Sequence, residues 1–496
     1  MKILFVASEL TPIAKVGGLG DVIGALPKAL KKLGLDISII IPRYYFIDKK
    51  KLKLVKKNIS ISLRRGTEKI YLYSTVIPKT GIRVFLVENP TYLSQPPGPY
   101  FDSSAFVGEK KEIQRFVFFS KAVSILLQNN VLKTDIVHAN DWHTGALVTL
   151  LAQTNAEGHA DLRGKIQRRS VFSRRKSAIR PKTVFTIHNL ANQGRWKTRE
   201  IDNWLFSKRD NKSFKKQGQY YNFMAEGILN AGWITTVSPT YAKEILTRKY
   251  GAGLEKTLNA RKHNLTGIIN GIDYEFWNPE KDKFIFKNFS GDKINLKSLN
   301  KTKLQKLLGL KEDPNIPLFS LVARLTHQKG IDFISLVLEY FIKKFPGQFV
   351  FLGRGEKRFE KSFADFAQKF PKNIYTKIGF DEELAHKIYA ASDFFLMPSR
   401  FEPSGLGQMI AMRYGAIPIV RDTGGLHDTV ENLKTGFVFR GEEFHNFENI
   451  LRLAWIYYQK FPHKISEIQK NCFEKNFDFS HSAQEYLKIY KKLLSK

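Results

Sequence analysis

The chain has 496 residues, 43% of them hydrophobic, which is enough to build two domain cores. Lys and Arg outnumber Asp and Glu by 80 to 46, so nucleotide sugars, nucleic acids and anionic membranes are all conceivable partners, although a basic solvated surface is the simpler explanation. The single cysteine, Cys472, excludes an internal disulfide and any cysteine-based zinc site. No nucleic-acid-binding motif and no membrane-spanning run occurs, and the apolar opening is too short for a signal peptide, so we expect a cytoplasmic protein.

In the first half of the chain, apolar runs alternate with amphipathic stretches. The pattern predicts a strand over 2–7, a helix over 21–32 and a strand over 36–41, which together make a β-α-β unit. Further strands are predicted over 70–73, 84–87, 136–138, 184–187 and 234–237, with helices over 145–152 and 239–247. Strands that alternate with helices are typical of an α/β domain with a parallel sheet.

The same alternation restarts at residue 317. Strands are predicted over 318–322, 349–352, 374–378, 394–397 and 417–420, and helices over 331–344, over 382–391 and from about residue 405. Residues 281–303 are polar and Lys-rich, as expected of a connecting region. We therefore predict two doubly wound, Rossmann-like α/β domains, over 1–265 and 266–478. A final helix over 479–496 either closes the second domain or crosses back to the first.

A glycine-rich loop, Lys15 to Asp21, follows the first predicted strand. Ligands of open α/β sheets bind beyond the carboxyl ends of the strands, where backbone N–H groups at helix starts attract negative charge. The glycines allow close approach of a phosphate or sugar, and Lys15 supplies a cation. The spacing matches neither the dinucleotide fingerprint nor the Walker loop, so a turn that only permits tight packing explains the loop equally well.

Two loops of the second half carry charge at predicted strand ends. Arg324 and Lys329 follow the strand at 318–322, and two cations there suit a diphosphate, although plain surface cations fit the same pattern. Glu402 follows the strand at 394–397 and would face a sugar attached to that phosphate, or merely cap the next helix. These loops predict a second anion site some 380 residues from the first.

Taken in order, the motifs resemble the glycogen and starch synthase family of retaining glycosyltransferases. The resemblance extends over nearly the whole chain. The segments that carry it are 8–9, 15–21, 141–143, 186–190, 237–241, 270–273, 324–330, 400–406, 424–426, 435–437 and 477–480. The family has two Rossmann-like domains that face a central cleft, the GT-B type, and needs no metal or redox cofactor. The resemblance implies transfer of glucose from a sugar nucleotide, ADP-glucose in bacteria, to the non-reducing end of an α-1,4-glucan such as a glycogen primer.

The resemblance also implies roles for individual residues. Arg324 and Lys329 would stabilise the departing ADP, while Glu402 lies beside the transferred glucose. As the cleft shuts, the glycine-rich loop would contribute from the opposite domain and water would be excluded. The implied catalytic residues are Glu402, Lys329, Arg324 and His188, and the implied substrate-binding residues are Lys15, Gly17, Gly18, Asp21, Tyr100, Asp141, Asn270, Ser404, Gly405 and Leu406.

Two positions bear on the alternatives. Ser404 stands where many bacterial relatives have Cys, which leaves the nucleotide preference open. Ile410, eight residues after Glu402, breaks the Glu-x7-Glu signature of several other retaining transferases, which favours the glycogen synthase family. The alternatives are another retaining transferase that uses a UDP-sugar and a catalytically silent relative that binds glucan or anions. The basic segment 160–182 is expected to be a neutral insertion, with a glucan-contact loop and a partner site as the other interpretations.

Overall fold

A computed structural model describes residues 1–64, 66–96, 98–100, 110–152, 181–197, 214 and 219–495. The chain divides into two compact units: the first comprises Met1–Val237, Ala242–Ile268 and Phe479–Lys496, and the second comprises Ser238–Tyr241 and Ile269–Asp478. The last helix thus belongs to the first unit. The basic segment 160–182 lies outside the described residues except for 181 and 182. Within the described ranges, no helix combines the length and the apolar character needed to cross a membrane.

The strands supply two large sheets and a small hairpin. They are β1 (Lys2–Val6), β2 (Asp36–Pro42), β3 (Lys53–Leu63), β4 (Gly66–Ile77), β5 (Ile82–Glu88), β6 (Ile136–Asn140), β7 (Lys182–Ile187), β8 (Arg195–Lys197), β9 (Tyr220–Asn222), β10 (Trp233–Thr236), β11 (Leu265–Gly267), β12 (Leu318–Val322), β13 (Gln348–Gly353), β14 (Ile374–Ile378), β15 (Phe394–Met397), β16 (Ile417–Arg421) and β17 (Phe437–Phe439).

Helices connect most of the strands. They are α1 (Gly18–Lys32), α2 (Lys110–Gln128), α3 (145–152), α4 (Phe223–Asn230), α5 (Pro239–Glu244), α6 (Glu255–Ala260), α7 (Lys297–Leu307), α8 (Ile331–Lys344), α9 (Lys357–Lys369), α10 (Glu382–Ala391), α11 (Gly407–Arg413), α12 (Gly424–Thr429), α13 (Phe444–Lys460), α14 (Pro462–Glu474) and α15 (Phe479–Leu494).

The first unit is built on a nine-stranded sheet in the order β11-β10-β7-β6-β1-β2-β5-β4-β3. From β11 to β5 neighbouring strands are parallel, and β3 and β4 extend the sheet as an antiparallel hairpin. The strand order reverses between β1 and β6, which makes their carboxyl ends the expected ligand-binding edge. α1 and α15 pack together, and the Tyr490 hydroxyl of α15 lies 2.7 Å from Nδ1 of His138 in β6.

The second unit has a six-stranded sheet in the order β14-β13-β12-β15-β16-β17, with every neighbouring pair parallel. Parallel strands covered on both faces require near-continuous apolar sequences. Phe319, Phe349 and Phe394 satisfy this demand, because their rings stack at centroid distances of 5.0 Å across β13, β12 and β15. The order reverses between β12 and β15, so the ligand edge of this unit lies there.

Most predicted elements lie within one to three residues of those observed. Among the described residues, five strands and eight helices were not predicted, and of β4 only the centre was. They are β3, β8, β9, β11 and β17, and α2, α4, α6, α7, α9, α12, α13 and α14. β3 is an edge strand in which most residues are exposed, with Ile59 and Ile61 buried, so it lacks a clear alternating pattern. Strands of this kind are defined by pairing with a neighbour rather than by their own sequence.

The polar segment 281–303 is not simply a connecting region, which corrects the sequence-based expectation. It contains the start of α7, and this helix buries Lys297, Asn300 and Lys301. Lys297 Nζ donates to the carbonyls of Tyr389 (3.0 Å) and Ala390 (2.8 Å), at the end of α10. The last carbonyls of a helix have no partner within the helix, and a cation placed there satisfies them.

We predict that Lys297→Met lowers the stability of the protein by about 2 kcal/mol, because two buried carbonyls lose their donor. The urea midpoint of unfolding measures this loss. Lys303→Met, an exposed position of the same helix, is the matched control and should leave the midpoint unchanged. Equal midpoints for the two variants would show that Lys297 does not cap α10.

Candidate active site

A buried carboxylate organises the loop after β1. Oε2 of Glu9 accepts the N–H groups of Val16 (2.8 Å) and Gly17 (2.7 Å), and its Oε1 accepts the Tyr100 hydroxyl (2.6 Å). Burial raises the pKa of Glu9, and the three donors oppose that shift. The loop is therefore closed around Glu9, which lies in the 8–9 motif of the family resemblance but was not predicted as a site residue. The sequence feature that could have identified Glu9 is a carboxylate directly after a buried strand.

The predicted residues of this loop are brought together around the start of α1. Gly17 precedes the helix and Gly18 is its first residue. Lys15 Nζ lies 2.7 Å from Oδ1 of Asp21, in the first turn of the helix, and both side chains are partly exposed. The cation and the helix start consequently lie at the carboxyl end of β1, where an anion is favoured.

The loops after β6 and β7 meet at a second buried carboxylate. Oδ1 of Asp141 accepts the backbone N–H groups of His188 (2.7 Å) and Asn189 (3.3 Å), and the Asp141 backbone has φ of +56°. Burial raises the pKa of Asp141 to about 7 and lowers the pKa of His188 to about 3. His188 is therefore a neutral imidazole at pH 7, with Nε2 3.0 Å from Oδ1 of Asn140.

In the second unit, Lys329 and Glu402 form an ion pair. Lys329 Nζ donates to Glu402 Oε2 at 2.5 Å, and Oγ of Ser399 donates to the same oxygen at 2.9 Å. The two side chains are only 17% and 7% exposed. Lys329 follows β12 and Glu402 follows β15, so the two strands on either side of the order reversal each supply one charge.

Backbone contacts hold the two loops together. The amide of Arg400 donates to the Gln328 carbonyl (2.8 Å), and Nε2 of Gln328 donates to the Phe401 carbonyl (3.3 Å). Gly330 has φ of +67°, and a Cβ there would lie 2.1 Å from the Pro398 carbonyl oxygen. The Arg324 guanidinium donates to Oε1 of Gln328 at 3.4 Å, which links Arg324 to the two loops. Arg324, Lys329 and Glu402 are thereby parts of one hydrogen-bonded assembly.

The segment from Ser404 to Leu406 leads into α11. Gly405 has φ of +67°, and Nε2 of Gln408 donates to the carbonyls of Ser404 (3.0 Å) and Gly405 (2.9 Å). The Ser404 hydroxyl is buried and has no hydrogen-bond partner among the described residues. An unsatisfied hydroxyl at the start of a helix suits a polar ligand atom. Gln408 is a second residue that the sequence analysis missed.

Asn270 and Phe380 are two further residues of the second unit. Asn270 is buried, and the Gly271 beside it packs against the backbone of Phe477 and Asp478, but no described hydrogen bond joins Asn270 to Lys329 or Glu402. Phe380 follows β14 at the carboxyl edge of the sheet and is 79% exposed. Phe380 was not predicted from the sequence, because an isolated Phe carries no pattern.

Comparisons with known proteins agree with this architecture. The model of the starch synthase catalytic domain matches residues 2–164 and 162–260, and that of the glycosyl transferases group 1 matches residues 300–470. Glycogen synthase from Thermosipho melanesiensis is 39% identical over 510 residues, covering 100% of both chains. Glycogen synthase from Bacillus subtilis is 38% identical, covering 99% of this chain and 98% of that one.

Solved structures give the same result. The catalytic domain of starch synthase IV from Arabidopsis thaliana, bound to ADP and acarbose, matches with a TM-score of 0.86 and 32% identity over 100% of this chain and 99% of that one. Sucrose-phosphate synthase from Thermosynechococcus elongatus, with a TM-score of 0.60 and 14% identity, shares the fold alone.

Two doubly wound α/β units, each with a polar cluster at its strand-order reversal, define a two-domain glycosyltransferase of the GT-B fold. The chain belongs to the glycogen and starch synthase family. The predicted fold class, family and enzyme class are confirmed, and the rival class of a UDP-sugar transferase outside this family is disfavoured. The roles of individual site residues stay predictions.

We predict that Gly330→Ala destabilises the protein more than Gly309→Ala does. Both glycines have left-handed backbones, with φ of +67° and +69°, so both variants bear a cost of about 1 kcal/mol. Only Gly330 faces a backbone oxygen, and overpacking adds about 1–3 kcal/mol. Thermal unfolding measures the difference, and equal midpoints would mean that the loop after β12 shifts freely.

We predict a pH-dependent effect of Asp141→Asn. Because the folded-state pKa of Asp141 lies above its ordinary value of 3.8, the folded protein binds the extra proton and loses stability as pH rises towards 7. The Asn variant cannot titrate at this position, so its stability relative to wild type should rise by about 3 kcal/mol from pH 5 to pH 8. Urea unfolding at both pH values tests this, with the exposed Asp36→Asn as control. If the stability difference between Asp141→Asn and wild type is the same at both pH values, the pKa of Asp141 is not raised in the folded protein.

Proposed function

We propose that this protein transfers glucose from ADP-glucose to the non-reducing end of an α-1,4-glucan with retention of configuration. The observation that carries the proposal is the Lys329–Glu402 ion pair at the strand-order reversal of the second unit, with Arg324 in the same assembly. The family membership supports it, and so does the starch synthase IV structure, which was bound to ADP and acarbose. The coarser statement, a glycogen synthase-type transferase, follows from the comparisons alone.

The cations of the second unit suit the leaving group. Arg324 and Lys329 lie in the loop after β12, and we assign them to the diphosphate whose charge grows as the glucosyl bond breaks. Ser404 to Leu406 add backbone N–H groups and the Ser404 hydroxyl at the entrance to α11. Phe380 offers an exposed flat ring for stacking on the base of the nucleotide.

Glu402 suits the transferred sugar. The described hydrogen bonds of its side chain, from Lys329 and Ser399, converge on Oε2, so we assign Oε1 to the glucose hydroxyls. A carboxylate beside the sugar also favours the positive charge that develops at the anomeric carbon. The Lys329 ammonium places a compensating positive charge within hydrogen-bond distance of this largely buried side chain.

Retention follows from attack on the face that the phosphate leaves. The acceptor hydroxyl oxygen forms a bond to the anomeric carbon, the bond from that carbon to the diphosphate oxygen breaks, and the hydroxyl proton moves to the departing phosphate oxygen. No separate nucleophile takes part in this scheme, and the protein supplies orientation and charge stabilisation.

The residues of the first unit are assigned to substrate binding. His188 is neutral, so it can exchange hydrogen bonds with a sugar hydroxyl without introducing charge. Lys15, Gly17, Gly18 and Asp21, with Tyr100 and Asp141, complete the predicted set of the first unit. Asn270, which belongs to the second unit, is assigned to the same sugar as His188. The cytoplasmic location, the lack of a metal or redox cofactor and the lack of a nucleic-acid partner stay predictions.

We predict that glucose is incorporated into glycogen faster from ADP-glucose than from UDP-glucose, and that Glu402→Gln lowers kcat at least about 100-fold. The amide keeps the size of the side chain and removes the charge that pairs with Lys329. Incorporation of radiolabelled glucose, measured in parallel with both donors, tests the two statements together.

Glu339→Gln is the matched control, because Glu339 also forms a Lys–Glu ion pair, with Lys343, but on the exposed face of α8. It should retain wild-type kcat. Preference for UDP-glucose would change the donor assignment. Wild-type protein that binds glycogen but transfers from neither donor would identify a catalytically silent relative.

A further inference from the structure

An exposed pair of aromatic rings lies in the loop after β2. Tyr45 and Phe46 are 48% and 46% exposed, although Tyr44 before them is fully buried. Their ring centroids lie 5.6 Å apart and the ring planes are at 88°. Exposed apolar area is unfavourable in water, and adjacent exposed aromatic rings are a feature of binding surfaces.

The loop that carries the rings is held at several points. The Arg43 guanidinium donates to the carbonyls of Tyr44 (3.3 Å) and Ile47 (3.0 Å) and pairs with Glu88 at 2.9 Å. Oγ of Ser94 donates to the Arg43 carbonyl at 2.7 Å. The two rings are therefore presented by an ordered backbone, which lowers the entropy lost on binding.

The rings are continuous with the candidate site of the first unit. Phe46 stacks on Tyr44 at a centroid distance of 5.8 Å, and the Tyr44 hydroxyl donates to the Ser8 carbonyl at 2.6 Å. Ser8 Oγ in turn lies 3.0 Å from the Tyr100 hydroxyl, which is bonded to Glu9. β1 and β2 are neighbours in parallel register, so the loops that follow them share one edge of the sheet.

We propose that Tyr45 and Phe46 form a secondary binding site for an α-1,4-glucan chain, outside the residues assigned to transfer. The inference rests on the proposed function, because it takes the polymeric acceptor as the ligand. Glucose rings have flat faces of C–H groups that pack on aromatic rings, while their hydroxyls stay in water or reach a phenol such as that of Tyr45. A neutral polymer gains nothing from the net charge of +34, so its affinity depends on such apolar contacts.

The test compares wild type with Tyr45→Ala/Phe46→Ala. Retardation in native gels that contain glycogen gives the affinity for the polymer, and steady-state kinetics give kcat and both KM values. We expect glycogen binding to weaken about tenfold and the KM for glycogen to rise in parallel. The kcat and the KM for ADP-glucose should stay at wild-type values, because the rings take no part in transfer.

Two controls separate the rings from general effects. Tyr340→Ala removes an equally exposed ring, 46% exposed, from α8 of the second unit and should leave glycogen binding unchanged. Tyr45→Phe/Phe46→Tyr keeps both rings and should retain full affinity. Tyr45→Ala alone is also measured, so that the proposal is decided even if the double variant fails to fold.

Several results would overturn the proposal. The first is unchanged glycogen binding in both the double variant and Tyr45→Ala. The second is a loss of glycogen affinity in Tyr340→Ala equal to that in the double variant. The third is an altered oligomeric state of the double variant in size-exclusion chromatography, with unchanged glycogen affinity. The last outcome would assign the rings to contact with a second copy of the chain. Failure of the proposed function is distinct: wild type would then transfer glucose from neither donor, while gel retardation by glycogen still reports on the two rings.

Discussion

The ion pair between Lys329 and Glu402 depends on the strand order of the second unit. Removing both charges from water costs several kcal/mol per ion, and their attraction offsets that cost only if the geometry is held closely. The parallel pairing of β12 with β15 brings the two loops side by side, and Gly330 lets one loop pass against the backbone of the other. The charges then meet at 2.5 Å with Ser399 as a third member. The donor half of the proposed reaction relies on this arrangement.

The first unit uses buried carboxylates in a different way. Glu9 and Asp141 are bonded mainly to backbone N–H groups and, in the case of Glu9, to a tyrosine hydroxyl. Burial raises the pKa of both carboxyl groups, and the same burial keeps the imidazole of His188 uncharged. Around Asp141 and His188 the first unit therefore carries little local charge, which suits the hydroxyl groups of a neutral sugar. Lys15 and the start of α1 supply the positive charge of this unit that favours an anion.

The exposed aromatic pair Tyr45–Phe46 extends this reasoning from the site to the polymer. A loop that buries Tyr44 and Arg43 could equally have carried small polar residues at its tip, but it presents two rings instead. The same hydrogen-bonded chain that fixes Glu9 also fixes the base of these rings, through Ser8 and Tyr100. Binding of a long acceptor and positioning of its end would thus rest on one connected part of the first unit.

The sequence by itself determined the fold class, the family, most strands, about half of the helices, and the loops in which Lys15, Asp141, Lys329 and Glu402 lie. These properties are local, because strand runs, glycine turns and charged loop residues are visible in a few consecutive letters. Only the tertiary structure decided that Lys329 pairs with Glu402, that Glu9 closes the first loop, and that the Lys-rich segment buries Lys297. Each of these joins residues through strand order or helix packing. The partner of a buried charge depends on three-dimensional proximity, so it cannot be predicted from a local sequence pattern.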